Sequence, residues 1–419
     1  MDRIARVELS LFRFEVAGVG LPAHGAAGVG NMIAIKGGRL PCQRWAVRIE
    51  TAQGARGEYV THWVGTPSSF GQAAMLAPYL PGRDPDTREE IWQDLKREVR
   101  AYDHMGHGAL DIALWDLAGK RCGASVSRLL GGFRRRLPTY ASTYHGQLEP
   151  GGLNSPEAFA EYATACKARG FAGFKIHGWH DGNVAREIAT VRAVRAAVGD
   201  GFPLMLDPAC ELRTWTDALA VGRACDAADF FWYEDPYRDS GIAAEGHKRL
   251  RERLKTPLLV SEHIRGIESK AAFILTGGAG MIHADPEYDM GITGAMKIAH
   301  FCQAIGIDLQ YHACGPAHRA VMAATPNTHF YELALSGPEM PNLVPPVYLC
   351  GYSDQSQAVA ADGTVPVPDG PGLGVTYDWE FIERNRIEHL SLRRPVRPPL
   401  TGDTNRRRCR RREISAHRC

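Results

Sequence analysis

Residues 173–177 read GFKIH, 204–207 LMLD, 229–234 DFFWYE, 257–262 PLLVSE, 280–285 GMIHAD, 307–312 IDLQYH and 328–332 THFYE. Each is a short apolar run that finishes on an ionisable residue. With LPTYAS at 137–142 they make eight strand candidates, mostly separated by stretches of helical spacing. Strands alternating with helices indicate a parallel α/β architecture, and eight of them close most naturally into a barrel. In a barrel the C-terminal strand ends surround one mouth, so the terminal residues of seven consecutive runs are expected to converge there.

Outside this region the pattern changes. Residues 1–65 read as alternating strands, RIARVELSLFRF and QRWAVRIETAQGARGEYV, joined by the glycine-rich VAGVGLPAHGAAGVG. Residues 67–131 read as helices, the last of them GHGALDIALWDLAGKRCG with Gly123 as its stop. After residue 345 a Pro/Gly-rich return, VPVPDGPGLGVTYDWEFI, brings the ordered chain to about 390. The expected units are therefore 1–136, a barrel over 137–345, a return over 346–390, and a tail over 391–419. That tail holds ten arginines against Asp403 and Glu413, while residues 1–390 are net acidic. It reads as a solvated extension of low complexity, and nucleic acid is not an expected partner.

Composition excludes several classes. With 419 residues, 44% hydrophobic and 23% charged, the chain is long enough for a large core and too apolar for disorder. No window approaches the roughly 20 apolar residues of a membrane span. The opening MDRIARVELSLFRF alternates like a strand and lacks a signal-peptide core, and none of the ten cysteines forms a CxxC pair. Reduced core thiols and a cytoplasmic location are the expectation.

The strand ends carry the chemistry. Asp207, Glu234 and Glu262, on successive strands, supply three anionic oxygens, the kind of donor a hard divalent cation such as magnesium requires. Lys175 and His177 are two apart, so on a strand they share one face. Asp285 and His312 fall on neighbouring strands, where a carboxylate can orient one imidazole nitrogen and raise the basicity of the other. With a metal between the two sets, each could address one face of a substrate.

Together with GRDPDTREEIWQDL, GHGALDIALWDLAGK, GFAGFKIH, FFWYEDP, LLVSEH, DPEYDMGITGAMKIAHFCQAIGI, ATPNTHFYE and PDGPGLGV, these residues give the sequence its resemblance to the mandelate racemase subgroup of the enolase superfamily, over about residues 3–390. The resemblance implies a modified TIM (β/α)7β barrel under an α+β capping domain built from the N-terminal region and the C-terminal return. It implies one magnesium ion on Asp207, Glu234 and Glu262, with Lys175 contacting a substrate carboxylate and His177 in the place of a lysine base. Asp285 and His312 match a dyad serving the opposite face, and Glu332 an acid that hydrogen-bonds the carboxylate. It also implies a homo-oligomer, dimer or octamer. Two departures stand out: His177 replaces a lysine, and the third strand reads Asp207-Pro208-Ala209, without the family's asparagine or histidine two residues on.

The shared step of such enzymes removes the proton α to a carboxylate. The gap to a histidine or lysine base is on the order of twenty pKa units, about 27 kcal/mol, so fixed positive charge must stabilise the enediolate. A divalent ion and Lys175 would supply it, with Glu332 donating a hydrogen bond if protonated. If a β-hydroxyl is present, a protonated His312 or His177 can expel it as water to give a 2-keto-3-deoxy acid. Dehydration of a sugar acid is the favoured expectation, with His24, His62 and Trp63 of the cap as substrate contacts. Racemisation or epimerisation of a 2-hydroxy acid is the second. A catalytically inactive sugar-acid-binding protein is the third, and the intact proton-transfer set argues against it.

Overall fold

The structure, a computed structural model, describes residues 2–22, 32–63, 66–179, 181–208, 210–237 and 243–393. His24 and the chain beyond Arg393 lie outside them. Strands β1 (Ile4–Gly20), β2 (Ile33–Thr51) and β3 (Arg56–Val60) come first. They are followed by β4 (Arg136–Gly146), β5 (Gly173–Trp179), β6 (Leu204–Asp207), β7 (Trp232–Glu234), β8 (Leu258–Val260), β9 (Met281–Ala284), β10 (Asp308–Tyr311) and β11 (Tyr331–Ser336). The C-terminal return adds β12 (Thr364–Pro366) and β13 (Arg386–Arg393).

β4 to β11 form one parallel sheet in the order β10-β9-β8-β7-β6-β5-β4-β11. An α-helix follows every strand from β4 to β10, and among the described residues only a single 3-10 turn, Ser356–Ala358, lies between β11 and β12, which is a (β/α)7β plan. The ends of the path meet where Gln310 Nε2 donates to Phe330 O and Ala313 N donates to Glu332 Oε2. Inside the barrel, Tyr140, Met205, Trp232, Leu259 and Met281 pack together as a closed floor.

The cap is a four-stranded antiparallel sheet, β13-β1-β2-β3, with helices Pro67–Leu76, Arg88–Glu98 and Gly108–Cys122. The β1–β2 ladder runs unbroken past Leu11 and Phe12. Val7, Leu9 and Leu11 therefore face one apolar cluster and Phe12, Phe14 and Val16 the opposite one. The first cluster continues into the barrel, so cap and barrel share a core. Gly57 permits the close packing of β3 on helix Gly108–Cys122, since a Cβ there would sit 2.1 Å from Ala113 O. Gly123 ends that helix at φ 62°, as expected of a C-terminal glycine.

Three boundaries differ from the sequence reading. Part of the expected glycine-rich loop is strand, because Val19 and Gly20 pair with Ala34 and Ile33. The return is not purely cap: β12 pairs antiparallel with β4 of the barrel, and β13 runs to Arg393, past the expected end near 390. The eighth barrel strand starts at Tyr331 rather than ending at Glu332, so THFYE leads into β11 and the strand proper is YELALS.

Candidate active site

Strand parity builds the mouth directly above the floor. Residues two apart on a strand share a face, so Ser142 stands above Tyr140, Asp207 above Met205, Glu234 above Trp232, and His283 then Asp285 above Met281. Lys175 and His177 rise on the same face of β5. Glu262 is the exception, three residues beyond the floor residue Leu259. The chain turns at Ser261, where φ is 82°, a left-handed conformation that costs a serine energy. Asp235 holds this turn, accepting from Ser261 N at 3.2 Å and Glu262 N at 3.1 Å.

The mouth contains two charge groups. On one side, Lys175 Nζ lies 3.0 Å from Glu234 Oε1 and 2.9 Å from Glu332 Oε1, all three side chains being almost fully buried. Glu234 also accepts from Trp232 Nε1 at 2.9 Å. Burial, then repulsion from Asp207, Glu332 and Glu262, holds the Glu234 carboxyl well above its ordinary range despite Lys175. For Glu332, burial acts upward, but Lys175, His312 and His177 together pull it below the carboxylate range. Beside Lys175, Glu332 accepts a hydrogen bond in this arrangement; the expectation that it donates one applies only to a protonated carboxyl. Although second in its strand, it reaches Lys175 because tilted barrel strands are staggered.

On the other side, His312 Nδ1 is 2.7 Å from Asp285 Oδ2 and its Nε2 is 3.2 Å from Glu262 Oε1. Burial opposes a charged imidazole here, yet Glu262 and Asp285 raise His312 well above the usual histidine range. His177 completes the ring, its Nε2 3.1 Å from Asp207 Oδ2 and its Nδ1 against Thr143 O. All eight strand residues singled out from the sequence therefore come together at one end of the barrel.

The donor chemistry fits a divalent cation. Asp207, Glu234 and Glu262 are hard oxygen donors on successive strands, and repulsion among them is written into the raised Glu234. Glu234 and Glu262 have donor atoms within 4.8 Å of each other in a set with His283, whereas Asp207 is turned to His177. Of the cap residues, Trp63 approaches the mouth, its ring centroid 6.3 Å from that of His312. His62 does not: it is 1% exposed and bonded through Nε2 to Tyr348 Oη. The expected substrate contact at His62 is therefore corrected to a packing residue, because burial takes its ring away from solvent.

Sequence reading missed several neighbours. His145 packs against His177 with centroids 4.8 Å apart and the rings tilted by 41°, because β4 extends four residues past the run LPTYAS. His318 Nε2 is 3.2 Å from Asp285 Oδ1, so the aspartate serves two imidazoles, and burial notwithstanding, His318 and then His312 pull it below its usual range. Tyr288 stacks on His312 at 5.2 Å and 27°. Glu287 accepts from Tyr59 Oη at 2.7 Å, His62 N at 2.6 Å and Trp63 N at 2.8 Å, tying the cap loop to the barrel. The i, i+2 spacing from Met281 and Asp285 could have flagged His283; nothing local marks His318 or Glu287.

Comparison with known proteins agrees with this geometry. Residues 158–381 match the family model described as enolase C-terminal domain-like, and residues 42–131 match the N-terminal domain of mandelate racemase / muconate lactonizing enzyme. The chain belongs to this family. It is 27% identical over 355 residues to a D-gluconate dehydratase of Thermoproteus tenax, covering 76% of this chain and 67% of the relative. It is 28% identical over 333 residues to a D-galactarolactone cycloisomerase of Agrobacterium fabrum, covering 75% and 85%. Among solved structures, a D-glucarate dehydratase from Agrobacterium tumefaciens complexed with magnesium superposes with a TM-score of 0.78 at 29% identity, over 92% of this chain and 99% of that one. No helix among the described residues is long and apolar enough to cross a membrane.

Proposed function

We propose that this family member is a hydro-lyase that dehydrates a sugar acid to a 2-keto-3-deoxy acid. The observation that carries the reading is the His312–Asp285 pair at 2.7 Å, set at one mouth with Lys175, His177 and the three carboxylates. Asp285 fixes Nδ1, and Nε2 lies at the mouth against Glu262; with Glu262 drawn to the cation instead, the neutral imidazole would take a proton at Nε2 from the carbon α to the substrate carboxylate. Lys175 supplies fixed positive charge as the enediolate forms, and Glu234 and Glu332 hold its ammonium in place. The β-hydroxyl then leaves as water with a proton from the His312 imidazolium or from His177, and the resulting enol tautomerises to the ketone. Asp207, Glu234 and Glu262 would hold a divalent cation, magnesium as in the solved relative, which draws charge from the substrate carboxylate and so acidifies its α carbon.

The names of the relatives support a sugar-acid substrate, and Trp63 beside His312 offers a wall for it. Incubation with magnesium and a panel of mono- and diacid sugars should yield a 2-keto-3-deoxy acid from at least one of them. Loss of the α-proton signal in D₂O without a keto product would instead favour the epimerase reading, for which His177 and His312 provide a base on each face. Glu262→Gln should weaken magnesium binding, and an unchanged titration would remove that residue from the cation site.

A further inference from the structure

His283 has no part in the chemistry described so far, yet it lies within the cation site. Its donor atom, with those of Glu234 and Glu262, falls in a set whose members are all within 4.8 Å of one another. Its Nε2 is 3.6 Å from Glu234 Oε1, too far for a hydrogen bond. The side chain is fully buried, and neither Nδ1 nor Nε2 has a hydrogen-bond partner among the described residues. Buried polar groups nearly always find a partner, so two orphaned ring nitrogens beside two carboxylates call for an explanation. Strand parity aims the ring inward, two residues from Met281 of the floor and two from Asp285 of the dyad.

We propose that His283 is a nitrogen donor to the divalent cation held by Glu234 and Glu262, and that it turns the preference of the site from Mg²⁺ toward Mn²⁺ and Co²⁺. The proposal rests on the cation reading given above. Magnesium is served by oxygen donors alone and dehydrates reluctantly, whereas imidazole binds later divalent ions more tightly along the order from Mn²⁺ upward. One nitrogen among carboxylates leaves magnesium affinity nearly unchanged and raises that of the transition ions. In a site of oxygen donors only, that discrimination would be smaller.

The test uses Mn²⁺ as the probe on metal-stripped protein. Pulsed electron paramagnetic resonance of the Mn²⁺-loaded wild type should show coupling to a ¹⁴N nucleus, and His283→Gln should abolish it. In competition titrations the wild type should favour Mn²⁺ over Mg²⁺, and the variant should lose at least the roughly tenfold of Mn²⁺ affinity that even an outer partner contributes, with Mg²⁺ affinity little changed. Bound Mn²⁺ without nitrogen coupling in the wild type would overturn the His283 assignment and leave the cation site standing. Coupling that persists in His283→Gln would also overturn it, the nitrogen then belonging to another histidine. Failure of the wild type to bind any divalent ion would sink the cation reading and this inference together.

Discussion

Lys175 stands between two buried carboxylates, 3.0 Å from one and 2.9 Å from the other, and is itself 1% exposed. Burial would strip its proton, but Glu234 and Glu332 hold it well above the ordinary lysine range, so it is a permanent cation. Removing one partner of a buried pair leaves an uncompensated charge and costs about 3–5 kcal/mol. Lys175→Met should therefore lower unfolding free energy by that much in urea titrations at neutral pH and abolish turnover; a change under about 1 kcal/mol would mean the carboxylates are otherwise neutralised. Lys175 and His177 were legible because a spacing of two on a strand places both on one face. Asp235 was not, since its work is to hold the left-handed Ser261 and so turn Glu262 inward. A run ending in Glu262 predicts a strand-end carboxylate; it gives no sign that the strand stops at Val260 and that the acid needs a support.

At the scale of elements, the cap loop at residues 61–63 meets the barrel through Glu287, which follows β9. One carboxylate accepts two backbone N–H groups and the Tyr59 hydroxyl, the bonds from Tyr59 and His62 buried and that from Trp63 partly so, and hydrogen bonds to a charged group contribute about 1.5–3 kcal/mol each. Glu287→Gln replaces one acceptor oxygen by a donor and loosens the loop that brings Trp63 to His312. The expected result is a KM raised about tenfold or more with a smaller fall in kcat, read from initial rates on the substrate found in the panel. An unchanged KM would show that the loop is placed without this carboxylate. The order of the elements was plain in the alternation of apolar runs and helical stretches, and seven of the eight runs lie on strands. The eighth differs because YELALS carries its apolar residues after Glu332, beyond the acid on which the run THFYE ends. Contacts such as Glu287 to His62 join segments more than two hundred residues apart, and no local pattern records them.

For the whole molecule, burial of histidines makes stability depend on acid. His62 is pushed down to about 4, burial outweighing the charges of Asp354 and Glu287, which favour its protonated form. In the unfolded chain a histidine protonates near pH 6.5. Between pH 6.5 and 4 the unfolded chain therefore binds more protons than the folded one, and stability falls as pH falls through that window, by about 3 kcal/mol for this group. His107, pushed down to about 3 by burial, adds to the loss in the same direction. Urea midpoints of His62→Gln should fall less steeply with acid than those of the wild type, and parallel curves would contradict the assignment. The C-terminal strand β13 completes the cap sheet and ends at Arg393. Deleting residues 394–419 should accordingly leave kcat/KM unchanged, whereas a loss of turnover would give the arginine-rich segment a role in the reaction.

The central claim is that one mouth removes an α proton through His312. It is tested most directly by following the substrate in D₂O by proton NMR with the wild type and with His312→Asn, each titrated with magnesium by calorimetry. The wild type should consume the α-proton signal and form a 2-keto-3-deoxy acid. The variant should bind magnesium as the wild type does, with neither exchange nor product. Wild-type-like turnover in His312→Asn would contradict the account.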